Sequence, residues 1–140
     1  MRLTALLPRW SDYIATFRLL GIASVAATCI AAVELMSSDD SFTEQLWYNT
    51  RYFKSGMKSI GLPIHSETPI CPVIVGESET AKKLEKRLFE EGLYGRSIVF
   101  PTVAKDKARV RIMINANHTQ AHLDRLIDSF DRIGRELGLI

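Results

Sequence analysis

Arg109-Val110-Arg111-Ile112-Met113-Ile114-Asn115 alternates apolar and longer polar side chains over seven residues, the period of a strand with one face buried. Val110, Ile112 and Ile114 are assigned to a core, and Arg109, Arg111 and Met113 to the opposite face. Working outward, Ser97-Ile98-Val99-Phe100, stopped by Pro101, predicts a second strand, and Ile70-Cys71-Pro72-Val73-Ile74-Val75-Gly76 a third. Pro72 has no amide hydrogen and belongs at a strand start, an edge or a bulge. Between these two strands in sequence, Glu79 to Glu91 carries Ala81, Leu84 and Leu88 on one stripe, introduced by Ser78 and ended by Gly92. Thr119 caps a last helix from Gln120, with Leu123, Leu126, Ile127, Phe130, Ile133 and Leu137 at helical spacing and Gly138 closing it. The order strand, helix, strand, strand, helix predicts a small α/β layer, with helices on one face of a short, largely antiparallel sheet.

Upstream, Ser41-Phe42-Thr43-Glu44 has the Ser/Thr-x-x-Glu pattern of a helix start. Phe42, Leu46, Phe53, Met57 and Ile60 continue it as an amphipathic helix of about twenty residues that ends at Gly61. The polar run SSDDS at 37–41 is a loop. Before it, Leu19 to Val33 is fifteen residues without a charge, short of the about 20 that a membrane span needs. A buried Ala-rich helix is the expectation; the apolar core of a targeting segment and a membrane anchor are the alternatives. Small residues at 23, 26, 27, 31 and 32 would let that helix pack closely.

The chain has 140 residues, 46% apolar and 24% charged, which suits one globular domain and is too apolar for intrinsic disorder. A formal charge of +2 gives no reason to expect a nucleic-acid partner. Two cysteines, Cys29 and Cys71, exclude a disulfide framework. No GxGxxG, GxxxxGK[ST], GxSxG, CxxC or HExxH is present. His118 and His122 are four apart, but without a third ligand of obvious spacing they predict capping or surface roles rather than a metal. Lys82, Lys83, Lys86 and Arg87 are interspersed with glutamates and form a solvated face. Arg111, in mid-strand opposite the apolar set, is either exposed or aimed into a cleft where its planar fork could bind a carboxylate; pattern alone favours exposure and does not separate it from Arg109.

Asn49-Thr50-Arg51-Tyr52-Phe53, Thr68-Pro69-Ile70, Pro72-Val73, Gly92-Leu93-Tyr94, Phe100-Pro101, Ala108-Arg109-Val110-Arg111, His118-Thr119 and Ile133-Gly134-Arg135-Glu136-Leu137-Gly138 resemble the C-terminal part of the α-oxoamine synthases. The similarity runs from about Ala23 to Ile140 and is densest toward glycine C-acetyltransferase. The resemblance implies the C-terminal small domain of the pyridoxal-phosphate (PLP) dependent aspartate-aminotransferase fold, preceded by long helices. Residues 1–22 are then an unmatched segment, 23–61 a helical connection and 62–140 the small domain. It implies PLP as cofactor, glycine and acetyl-CoA as substrates, a homodimer or a full-length synthase subunit as partner, no membrane, and a cytoplasmic or mitochondrial location. The second Arg of the Ala-Arg-aliphatic-Arg strand grips the substrate carboxylate in that family, which assigns the role to Arg111.

The family's cofactor lysine, the Asp that pairs with the pyridine nitrogen and the His that stacks on the ring all lie upstream of the matched region. The chain is therefore expected to be inactive alone, with a non-catalytic module that pairs with a full-length synthase as the alternative. Phe17-Arg18-Leu19-Leu20-Gly21-Ile22-Ala23 keeps the family's Phe but lacks its polar residues and prolines, so no cofactor-phosphate contact is assigned there. The apolar faces of Ala23 to Val33 and of the 41–60 helix are expected to cover a large domain.

Overall fold

The computed structural model describes residues 10–140, with side chains from residue 21 onward. The chain divides into two units at the Asp40/Ser41 junction. The first contains α1 (Trp10–Ser38). Within it Ser24 Oγ donates to Gly21 O and Thr28 Oγ1 to Ser24 O, which satisfies the hydroxyls along the helix itself. The expected burial of the Ala-rich segment is not found: every residue from 21 to 38 is exposed. The physical reason is local, because among the described residues of this unit no second element offers a surface to pack on. Gly21–Ser38 has a mean hydropathy of 1.5 and is long and apolar enough, by length and composition, to cross a bilayer; core helices of soluble proteins meet the same measure. The expectations for residues 1–9 and for the side chains of Phe17 to Leu20 lie outside the described residues.

The second unit comprises α2 (Ser41–Ser59), β1 (Ile70–Gly76), α3 (Ser78–Glu90), β2 (Arg96–Ile98), β3 (Ala108–Met113) and α4 (Gln120–Glu136). The three strands pair antiparallel in the order β1-β3-β2. Val110, Ile112 and Ile114 face the core, while Arg111 and Met113 point away from it. β1 is an edge strand, where Pro72 costs no ladder hydrogen bond, and its register shifts between Ile74 and Gly76. β2 is shorter than the Ser97 to Phe100 expectation, because Val99 O already accepts the amide of Thr102 in a turn.

The core joins β1 and β3 to the apolar stripes of α3 and α4, with Leu84, Leu88, Phe130 and Ile133 fully buried. Phe53 and Met57 of α2 are equally buried. The face expected to cover another domain therefore belongs to this unit's own core, while Phe42 at the start of α2 stays 52% exposed. Gly95 allows the segment before β2 to come this close to the sheet: a Cβ there would stand 2.7 Å from Ile112 Cδ1 and 2.9 Å from Val110 Cγ1.

α3 begins one residue earlier than its serine suggests. Glu77 is the N-cap, but its carboxylate accepts from Thr80 Oγ1 at 2.6 Å and makes no capping bond. At the other end Gly92, with φ 77°, takes the left-handed turn that closes the helix, and the Leu93 amide returns to Leu88 O at 2.9 Å. Glu91 ties this end to α4. Its carboxylate accepts from Arg132 Nη2 at 2.7 Å and Ser129 Oγ at 2.6 Å, which holds it below the ordinary carboxylate range. A folded-state pKa below the unfolded one gives stability that is present above the unfolded value and lost as pH falls through the folded value. Glu91→Gln should accordingly lower stability at neutral pH by about 1 kcal/mol, the scale of a partly exposed charged hydrogen bond. In thermal melts the gap from wild type should close below about pH 4.3, the unperturbed Glu value; a gap of constant size down to pH 2 would count against this ion pair.

Candidate functional site

A cleft of about 790 Å³ opens beside the start of β2 and the end of β3. Gly92 to Tyr94 and Arg96 form one wall, Arg111 to Met113 another, and His118, His122, Leu123, Arg125 and Leu126 at the start of α4 the third. Its three guanidinium groups differ in what surrounds them. Arg96 lies 3.3 Å from Glu85 Oε1, and Glu85 Oε2 also accepts from Ser97 Oγ. Arg125 Nη2 donates to Glu91 O at 2.5 Å, a cation at the carbonyl end of α3 as the helix dipole favours. Arg111 makes no hydrogen bond or ion pair with any of the described residues.

Register sharpens the contrast. Arg96 and Arg111 are direct cross-strand partners, and like charges placed opposite one another are destabilising. Glu85 compensates Arg96 and the Glu91 carbonyl engages Arg125, which leaves Arg111 as the cleft guanidinium with no partner among the described residues. An exposed fork of donors with a second guanidinium beside it suits a carboxylate or another small oxyanion. Arg109, inseparable from Arg111 by spacing, is distinguished here: its Nε donates to Lys107 O at 3.2 Å, and it does not line the cleft.

The α4 wall is built by capping. Thr119 Oγ1 accepts the His122 amide and His122 Nδ1 accepts the Thr119 amide, both at 3.3 Å, a reciprocal box with histidine in the usual place of Glu. His118 Nδ1 accepts from the Asn115 amide at 3.4 Å. Desolvation, followed by the neighbouring His122, lowers the His118 pKa from its ordinary value, so at neutral pH this wall carries a neutral imidazole. The two rings meet edge to face with centroids 6.4 Å apart. Among the described residues no group of three or more His, Cys, Asp or Glu could hold a metal.

The cleft is lined by no lysine, aspartate or glutamate. Lys54, outside the cleft, donates to Ser66 O at 2.6 Å and Thr68 O at 3.0 Å and braces that loop. A PLP ring needs an amine for its aldehyde and an acid for its nitrogen. The cleft residues do not by themselves fit the cofactor; they fit an anionic substrate group. Sequence reasoning singled out Arg111 but missed two contributors. Arg96 becomes relevant only through its place opposite Arg111, and Asn49, quoted above only as part of a resemblance, is buried behind the 115–118 turn.

Comparison with known proteins places this architecture. The aminotransferase class I and II family model matches residues 8–130. A serine palmitoyltransferase structure containing PLP superposes with TM-score 0.65 at 30% identity, over 69% of this chain and 25% of that one. Serine palmitoyltransferase from Sphingomonas wittichii superposes with TM-score 0.68 at 27% identity, over 76% and 27%. The fold is thus that of PLP-dependent enzymes of the aminotransferase type. 8-Amino-7-oxononanoate synthase from Symbiobacterium thermophilum is 48% identical over 117 residues, 83% of this chain and 30% of that protein. The chain belongs to the aminotransferase class I and II family, and within it to the α-oxoamine synthases. It spans about 30% of the length of the curated relatives it matches. These relatives do not support the expected particular closeness to glycine C-acetyltransferase.

Proposed function

We propose that the chain is the C-terminal portion of a PLP-dependent synthase that joins an amino acid to the acyl group of a CoA thioester, with Arg111 holding the amino-acid carboxylate. The observation that carries this reading is the uncompensated Arg111 guanidinium in the cleft, opposite an Arg96 that Glu85 neutralises. In such a synthase the cofactor would be held by residues other than those of this cleft and would supply an electron sink for the amino acid's α-carbon. The described residues orient the substrate: Arg111 fixes the carboxylate and the histidine wall closes the cleft beside it.

Two sets of reactants fit this chemistry. Glycine with acetyl-CoA gives 2-amino-3-ketobutyrate, an amine and a ketone on adjacent carbons. The name 8-amino-7-oxononanoate describes the same pair of groups on a longer chain but with no carboxylate on the amine-bearing carbon, so that the amino-acid carboxylate would leave as CO2; relatives of that name at 41–48% identity favour the longer acyl partner here. The exposed helix Gly21–Ser38 favours a second reading, a non-catalytic module that pairs with a full-length synthase; co-purification with such a subunit and no activity of its own would support it.

The test is a transplant. Residues 21–140 should replace the corresponding part of the Symbiobacterium thermophilum relative and leave an enzyme that binds PLP and releases CoA in the presence of an amino acid and an acyl-CoA. A folded, PLP-loaded hybrid that turns over no such pair would overturn the assignment.

A further inference from the structure

Asn49 is 1% exposed in the middle of α2, a position where asparagine helps neither helix formation nor apolar packing. Its placement is explained by what it bonds. Asn49 Nδ2 donates to the carbonyl oxygens of Asn115 at 3.0 Å, Ala116 at 3.2 Å and His118 at 2.8 Å. Two amide hydrogens are thus shared among three acceptors. Its Oδ1 accepts from Gln45 Nε2 at 2.9 Å, so the side chain has one orientation that satisfies every neighbour. The turn it grips follows β3 directly and delivers His118 to the cleft wall beside Arg111. Within the turn, the Asn117 amide donates to Asn115 Oδ1 at 2.9 Å, so the segment is folded upon itself and fastened to α2 from behind.

We propose that Asn49 is a positioning residue of the carboxylate cleft: through the three carbonyls of the 115–118 turn it fixes the distance between the His118 wall and Arg111. Its consequence for catalysis rests on the assignment of Arg111 above, whereas its effect on the turn does not. A serine at 49 can donate to only one carbonyl, and an aspartate would face three carbonyl oxygens with negative charge. Both changes should loosen the turn.

Amide exchange and histidine ring resonances of the 140-residue chain test the first part. In Asn49→Ser, exchange at Asn117 and His118 should quicken by roughly tenfold or more, from the loss of at least one buried hydrogen bond, and the His118 ring signal should move. Val73→Ala, a core variant on β1 with Val73 2% exposed, is the control for stability loss alone and should leave both signals in place. Unchanged signals in Asn49→Ser, or equal changes in Val73→Ala, would overturn the proposal. In the active hybrid, Asn49→Ser and Asn49→Asp should raise the amino-acid KM at least severalfold with the acyl-CoA KM unchanged; equal increases in both would also overturn it. An inactive hybrid would count against the Arg111 assignment while the exchange and ring signals still decide the role of Asn49.

Discussion

Arg111→Ala in the hybrid synthase is expected to lower kcat/KM for the amino acid by roughly 10- to 150-fold, the range for losing a charge-assisted, two-pronged hydrogen bond. The loss should appear as a higher amino-acid KM, and also as a lower kcat where the carboxylate itself leaves as CO2, because its charge then changes in the transition state. At saturating amino acid the acyl-CoA KM should be unchanged. Arg111→Lys keeps the charge but not the planar fork, and should fall between wild type and alanine. Arg96→Ala supplies the contrast. Its guanidinium is already committed to Glu85, so its removal takes away a like charge opposite Arg111 rather than a substrate contact. A hybrid in which Arg96→Ala and Arg111→Ala are equally impaired would mean that the cleft binds anions through diffuse positive charge and not through Arg111.

The two arginines also mark where sequence reading reaches its limit. The period-two alternation of 109–115 placed Val110, Ile112 and Ile114 in the core because a strand has only two faces, and the structure agrees. The same alternation could not rank Arg109 against Arg111, since both occupy the other face. What separates them is a neighbouring strand: Arg111 faces Arg96 across the ladder, while Arg109 faces Ile98 and bonds Lys107 O. α4 was legible end to end because its cap and its apolar spacing are local signals, although the histidine that completes the cap stands where a Glu is the usual signature. Asn49 was opaque for the opposite reason: its partners lie 66 to 69 residues further along the chain. α2 was legible as an amphipathic helix, but periodicity says that a face is buried and not which surface buries it.

That last ambiguity produces the largest stability effect expected in this chain. Phe53 is fully buried, and its ring meets Phe130 of α4 edge to face, with centroids 6.5 Å apart. Two polar contacts brace the same pair of helices: Tyr52 Oη donates to Asp124 Oδ1 at 2.5 Å, and Gln120 Nε2 to Tyr48 Oη at 2.8 Å. Phe53→Ala removes an aromatic ring from a close-packed interior and should cost about 3–5 kcal/mol. That is a large part of the about 5–15 kcal/mol available to a typical domain. Phe42, on the same helix but 52% exposed, should cost under about 0.5 kcal/mol when changed to alanine. Urea unfolding of the 140-residue chain separates the two possibilities for α2. If its apolar face served only to cover another domain, both substitutions would be mild in this chain; as part of this core, Phe53→Ala alone should bring the transition to much lower urea. Phe130→Ala should be similarly severe, and the double variant should fall short of the sum by about 0.5–1.5 kcal/mol, the coupling of an aromatic pair. Full additivity would mean that the two rings stabilise the unit independently, and that α2 is held to α4 by its other contacts.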